Sequence, residues 1–275
     1  MTLKRLCQTM LSAAALALFA VAAPATAQDT APASVIEEIV ERGVMKVGMA
    51  TFVPWAMRGK DGDLIGFEID VARKLAADMG VEVEFVPTAW PAIIPALIER
   101  KFDVIISGLS ITPARNLKVN FTIPYAHSGQ QMVANTALAG GFTVEDFNAA
   151  NVVIACREAS PCQAVQKLFP KATARRFDDD VMAFQEVVNG KAHAMVSSAP
   201  KPRFWMNRFP KKLFLPSEET LTRSDEAIAV RKGDPDAINF FSNWIRVNTS
   251  NGWLKESHDY WFKGQSWAAA VAATQ

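Results

Sequence analysis

The chain has almost no surplus of either charge: 29 basic side chains stand against 28 acidic ones in 275 residues. A partner held by phosphate electrostatics needs a clear basic excess, so no nucleic acid is expected. Low-complexity tracts and short repeats are absent, and 50% hydrophobic with 21% charged residues is an ordinary globular make-up. The histidines are isolated (His127, His193, His258) and there is no Cys-x-x-Cys pair, so the spacing of a metal site is missing. Neither a Gly-x-Ser-x-Gly elbow nor a phosphate-cradling glycine loop occurs. Those absences remove the common hydrolase and nucleotide-binding readings, and no cofactor is expected.

Long apolar runs are missing too, except at the start. Lys4 and Arg5 precede the apolar stretch 11–23, which ends at Pro24 and Ala25-Thr26-Ala27. A charged start, a short apolar core and a small-x-small end predict a secretory signal peptide over 1–27, cleaved after Ala27. Its core of about 13 residues falls short of the roughly 20 that a spanning helix needs. Cys7 precedes the run, whereas a lipid-anchoring cysteine would follow it. The expectation is a soluble periplasmic protein without direct membrane insertion. Cleavage leaves 27 basic and 28 acidic residues, with Cys156 and Cys162 the remaining cysteines. In an oxidising compartment these can form one disulfide across C-R-E-A-S-P-C; two free thiols are the alternative.

What is present is an alternation of strands and helices. Residues 34–42 predict a helix stopped by Gly43, 45–48 a strand, 67–79 a strong helix ended by Gly80, and 81–86 a strand. A helix over 91–101, weakened by Pro95, leads to a buried strand over 102–107. This β-α-β order implies parallel pairing with crossover helices. A smaller α/β unit follows: strands at 152–156, 174–177 and 192–197, and helices at 163–169, 181–188 and 200–209. A strand at 227–230 and helices at 234–250 and 253–262 close the chain before a weakly structured tail.

The block G-F-E-I-D-V-A-R-K-L-A-A-D-M-G (66–80), continued by T-A-W-P-A-I-I-P-A-L-I-E-R-K-F-D-V-I-I-S-G-L-S-I-T-P-A-R (88–115) and V-N-F-T-I-P-Y, resembles the periplasmic solute-binding proteins of polar amino-acid ABC importers. The likeness is dense over 43–131 and collinear through Trp261. It implies a two-lobed type II binding protein of α/β class, each lobe a mainly parallel sheet flanked by helices, joined by a two-strand hinge. Lobe 1 would be 28–130 and 228–265, lobe 2 131–227, and the tail 266–275. The hinge is expected near 125–131 and 227–230. Such proteins are monomeric carriers, not enzymes, and their partners are a small carboxylate-bearing ligand and an inner-membrane ABC permease with its ATPase.

The resemblance also nominates residues. Arg115 would grip the ligand's carboxylate with its planar fork, helped by the Ser110 hydroxyl and the Gly108 backbone. Phe52 and Trp90 would stack on the ligand, Ser107 would lie near it, and Trp55 would either line the pocket or pack. In lobe 2, Ser160 would add a contact, although Ala159 and Pro161 replace the flexible turn of relatives. Where relatives place an aspartate for the ligand's ammonium, this chain has Ser198, and Met49 stands where some carry an acid. Three explanations remain open: a ligand without a primary ammonium, another acid in its place (Glu158, Asp178, Asp179 or Asp180), or a shifted alignment. N-capping of the helix at Val181 is the competing role for the acidic run. A periplasmic cyclohexadienyl dehydratase on the same fold is the enzymatic alternative, with Glu158 as its candidate general acid.

Overall fold

The computed structural model describes residues 34–264 and 266–271. The expected signal peptide, 1–27, lies outside them. Ser34 caps helix α1 (Val35–Arg42) in a capping box with Glu37, and Gly43, at φ 72°, ends it. Then come β1 (Val44–Met49), a ribbon of β2 (Met57–Arg58) and β3 (Leu64–Ile65), α2 (Phe67–Met79), β4 (Glu82–Pro87), α3 (Ile93–Ile98), β5 (Val104–Ile105), α4 (Pro113–Asn116) and β6 (Asn120–Ser128). Pro91 and Pro95 divide the expected helix of 91–101 into a 3-10 turn, Trp90–Ala92, and the short α3.

The chain then leaves this sheet. After Gly129 come β7 (Gln130–Asn135), α5 (Thr136–Ala139), β8 (Val153–Arg157), α6 (Ser160–Leu168), β9 (Thr173–Phe177), α7 (Asp180–Val188), β10 (Ala194–Ser198), α8 (Lys201–Arg208) and β11 (Leu213–Phe214). It returns through β12 (Ser224–Val230), α9 (Pro235–Ser250) and α10 (Trp253–Phe262). The first sheet has the order β4-β1-β5-β12-β6 and the second β11-β7-β10-β8-β9.

Each sheet is mixed, a departure from the mainly parallel expectation. β4, β1 and β5 are parallel, as are β10, β8 and β9, while β12, β6, β7 and β11 pair antiparallel. The antiparallel half arises because β6 leads out of the first sheet and β12 leads back in. The return strand starts at Ser224, opposite Ser128, several residues before 227. At the crossing Leu221 donates to the Gln130 carbonyl at 2.6 Å and the Gln130 amide to the Thr222 hydroxyl at 3.0 Å. Gly129 fits here because a Cβ would lie 1.9 Å from the Thr222 carbonyl oxygen.

Separate apolar cores form on the two sheets, one around Val47, Phe67, Leu75 and Phe241, another around Phe147, Ile154 and Val196. The stretch 266–271, expected to be loose, is anchored. Trp267 is buried against Trp261 and Phe204, and Lys60 donates to the Ala270 carbonyl at 2.9 Å. One large apolar side chain among alanines is enough to dock this segment.

Candidate functional site

The carboxyl ends of β1 and β4 and the turn after β4 face β8, the start of α7 and the start of α8 across a cleft of about 800 Å3. Phe52 and Trp90 line it, their ring centroids 6.4 Å apart and edge to face. Trp55 does not. It is fully buried beneath Phe52, edge-on to Phe67 and Phe262, and packs as core.

From the opposite face come Arg157, Asp180 and Lys201, each more than nine-tenths buried. Arg157 ends β8 with its side chain buried, whereas Glu158, in the turn that follows, is exposed and pairs with Arg176 on the surface. Asp179 caps α7, accepting from Met182 N–H at 2.8 Å. Asp180, one residue on, turns into the cleft. Its Oδ2 accepts from Arg157 Nε at 3.2 Å and Lys201 Nζ at 3.3 Å, and its Oδ1 from the Ser197 hydroxyl at 3.1 Å. Burial pushes the Asp180 carboxyl up, but Lys201 and Arg157 outweigh it, so the group is held below its ordinary value and stays ionised. Burial draws Lys201 down while Asp180 works to keep it charged.

Both lobe-2 cations lie over lobe-1 aromatic rings. The Arg157 guanidinium is 4.3 Å from the Trp90 centroid, and the Lys201 ammonium is 5.5 Å from that of Phe52. Arg157 Nη1 is buried without a hydrogen-bond partner.

The nominated polar residues of lobe 1 stand behind this wall. Arg115, placed at α4 by Pro113 and the Thr112 cap, lies 5.6 Å from the Trp90 ring, and its Nη1 donates to the Ser110 carbonyl at 2.7 Å. Burial first, and then the charge of Arg157, lower it to about 10. Gly108, at φ 56°, was expected to offer its amide to a ligand, but that N–H donates to Glu68 Oε1 at 2.9 Å. The Ser107 hydroxyl, fully buried, accepts from the Ala50 amide at 2.9 Å and joins β1 to the end of β5. Ser110 donates to Glu226 Oε1 at 3.3 Å.

Two buried acids underlie this layer. Glu68 is pushed up to about 8, chiefly by burial, although Tyr125 Oη donates to it at 2.6 Å. Glu226, also raised by burial, to about 7, gathers the hydroxyls of Ser128 and Ser224 at 2.7 Å each. In lobe 2, Ser160 is the first residue of α6, following Ala159, and Ser198 accepts from Gln130 Nε2 at 3.4 Å; neither lines the cleft. Cys156 and Cys162 are joined by a disulfide. Met49 is core. Lys201 was not foreseen, since a lysine opening a helix after Pro200 carries no signal of burial.

Residues 45–264 match the bacterial extracellular solute-binding proteins, family 3. The chain belongs to that family. Among its relatives, the L-cystine-binding protein TcyJ of Escherichia coli K12 is 28% identical over 82% of this chain and 85% of that protein. A cyclohexadienyl dehydratase of Pseudomonas aeruginosa is 26% identical over 90% of this chain and 93% of that protein. The solved structure of a putative ABC-transporter binding component from Wolinella succinogenes, complexed with lysine, is 33% identical, with a TM-score of 0.77, covering 82% of this chain and 99% of that one. This solute-binding protein thus has the α/β type II periplasmic binding fold. Among its described residues no helix is long and apolar enough to cross a membrane.

Proposed function

We propose that the protein is a periplasmic carrier that captures a small carboxylate-bearing solute in the cleft, closes about the β6–β7 and β11–β12 connections, and presents it to an inner-membrane ABC permease. The observation that carries this reading is the pair of guanidinium groups on Trp90. Arg157 brings a buried, unpartnered N–H to the cleft, and Arg115 stands at the same ring. A buried guanidinium with a free donor has a strong preference for a planar anion. Closure would follow from a ligand that touches both faces, since it stabilises the closed state only by its preference for it.

The test is calorimetry on protein unfolded and refolded to remove carried-over solute, with L-amino acids set against amine-free carboxylates. Arg115→Ala is expected to weaken the best ligand by about 100-fold or more, as loss of a charge-assisted pair does, with the fold retained by circular dichroism. Unchanged affinity would remove Arg115 from the site. Mass measurement of the exported chain, expected to begin at Gln28, checks the periplasmic assignment.

The dehydratase relative supports a second reading, a periplasmic enzyme acting on prephenate or arogenate. That chemistry needs an acid holding a proton beside the leaving group. Glu158 points to the surface, Asp180 is kept ionised, and the raised carboxyls Glu68 and Glu226 stand behind the cleft lining, tied to Tyr125, Gly108 and serines, so the carrier is the better reading. Appearance of an aromatic product on incubation with prephenate would reverse the order.

A further inference from the structure

The cation positions of the cleft are taken by the protein's own side chains. A ligand ammonium or guanidinium seeks the faces of Phe52 and Trp90 and a free carboxylate. Here Lys201 lies over Phe52, Arg157 over Trp90, and the carboxylate between them, Asp180, already accepts three hydrogen bonds. Ser198, where an aspartate would hold an ammonium, supplies only a hydroxyl, and that hydroxyl faces Gln130. Two cations, Arg157 and Lys201, hold the one inward acid, and a third, Arg115, stands at the same Trp90 ring with Glu226 as its acidic neighbour. Asp178 and Asp179 also line the cleft but are exposed at its rim, and Asp179 is turned to its own helix.

We infer that the solute is a dicarboxylate without a primary ammonium, one carboxylate taken at Trp90 by Arg115 and Arg157 and the second beside Phe52 by Lys201, with the two aromatic rings against its apolar body. This rests on the carrier reading and names its substrate class. Arg157, more than nine-tenths buried, with Nε on Asp180 and Nη1 unpartnered, is the group that the carboxylate at Trp90 would satisfy. An added ammonium would meet Lys201 and Arg157 at close range, a like-charge encounter in a water-poor site.

The experiment is a calorimetric comparison on the refolded mature chain. Glutarate and homophthalate are paired with the matched monocarboxylates butyrate and phenylacetate, and L-glutamate, L-lysine and L-arginine complete the panel. The expected result is that a dicarboxylate binds at least tenfold tighter than its monocarboxylate, and tighter than all three amino acids. In Lys201→Met, and separately in Arg157→Gln, the dicarboxylate-to-monocarboxylate ratio should fall towards one, with thermal unfolding as the check on folding. Two variants are used so that a failure of one to fold leaves the other, and the wild-type ratio decides the matter even then. Equal affinity for the two acids would mean a structural ion triad only and overturn the dicarboxylate, leaving the carrier reading intact. L-lysine or L-arginine as the best ligand would overturn it in the same way. No binding by any carboxylate would overturn both.

Discussion

The two faces of the cleft handle charge in opposite ways. On the lobe-1 face the acids, Glu68 and Glu226, sit in the second layer, tied to a tyrosine, serines and a backbone amide, and burial raises both above the carboxylate range. On the lobe-2 face the acid, Asp180, sits among two buried cations and is held ionised. One face is built on carboxyls that burial makes weak acids and that serve as hydrogen-bonding posts, the other on an ion cluster. On the proposed reading, the grip and the aromatic seat rest on the first, and the sign of the ligand is set by the second.

The sharpest way to break this contrast is to remove one acid from each face. Asp180→Ala leaves Arg157 and Lys201 buried without their counter-charge, and should cost about 3–5 kcal/mol in urea unfolding. Adding Lys201→Met should recover part of the loss, because it removes one of the stranded charges. Glu226→Gln should cost less than Asp180→Ala, about 1–2 kcal/mol, since a carboxamide oxygen can still accept from the serine hydroxyls and no buried cation is stranded. Equal costs would erase the difference between the faces.

The acids of lobe 1 also make a pH signature. Glu68, at about 8, and Glu226, at about 7, keep protons that the unfolded chain releases near the ordinary value of 4.5. The folded state therefore binds more protons than the unfolded one between about pH 4.5 and 8. In that window stability should fall as pH rises, by at most about 1.4 kcal/mol per pH unit for each group, and level off above pH 8. Glu68→Gln should flatten part of this slope, read as unfolding midpoints at pH 5, 6, 7 and 8. A slope identical to that of the parent would place the Glu68 pKa near the unfolded value. Asp180 has the opposite sign: its folded pKa is depressed, so its contribution is present above the unfolded value and lost in acid.

The same contrast explains what could be read from sequence. Helix α2 and the strands around it follow from a local pattern and form where it places them, whereas Phe52 and Trp90 were named by the family resemblance and both line the cleft. Gly108 shows the limit. Its turn was legible, but the partner of its N–H comes from a helix 40 residues away, so the amide cannot be assigned to a ligand from its own neighbourhood. In Asp178-Asp179-Asp180 the capping role falls to Asp179, while Asp180 is buried and paired with Arg157 and Lys201 rather than left open for a ligand's ammonium, and only the docking of α7 against α8 separates the two. Mixed sheets were missed for a related reason: the sequence offered a strand at 227–230 and a hinge near 125–131, and the antiparallel pairing of β6 with β12 depends on where the chain crosses twice.

The smallest expected effect concerns the loop that carries Arg157. Ala159 adopts φ 132°, ψ −135°, a region that a Cβ disfavours and glycine enters freely. The strain of such a residue is of order 1–3 kcal/mol, and glycine gives back about 0.5–1 kcal/mol through the entropy of the unfolded chain. Ala159→Gly should therefore stabilise the oxidised protein by about 1 kcal/mol, a rise in Tm of roughly 2–4 °C for a chain of this size. The strained residue lies inside the short Cys156–Cys162 loop, where the disulfide fixes the turn between β8 and α6. Reducing that bond should let Ala159 relax and shrink the advantage of glycine. If Ala159→Gly lowers Tm in the oxidised protein, the turn is not under strain, and the rigidity of the lobe-2 face must come from the Arg157–Asp180–Lys201 cluster alone.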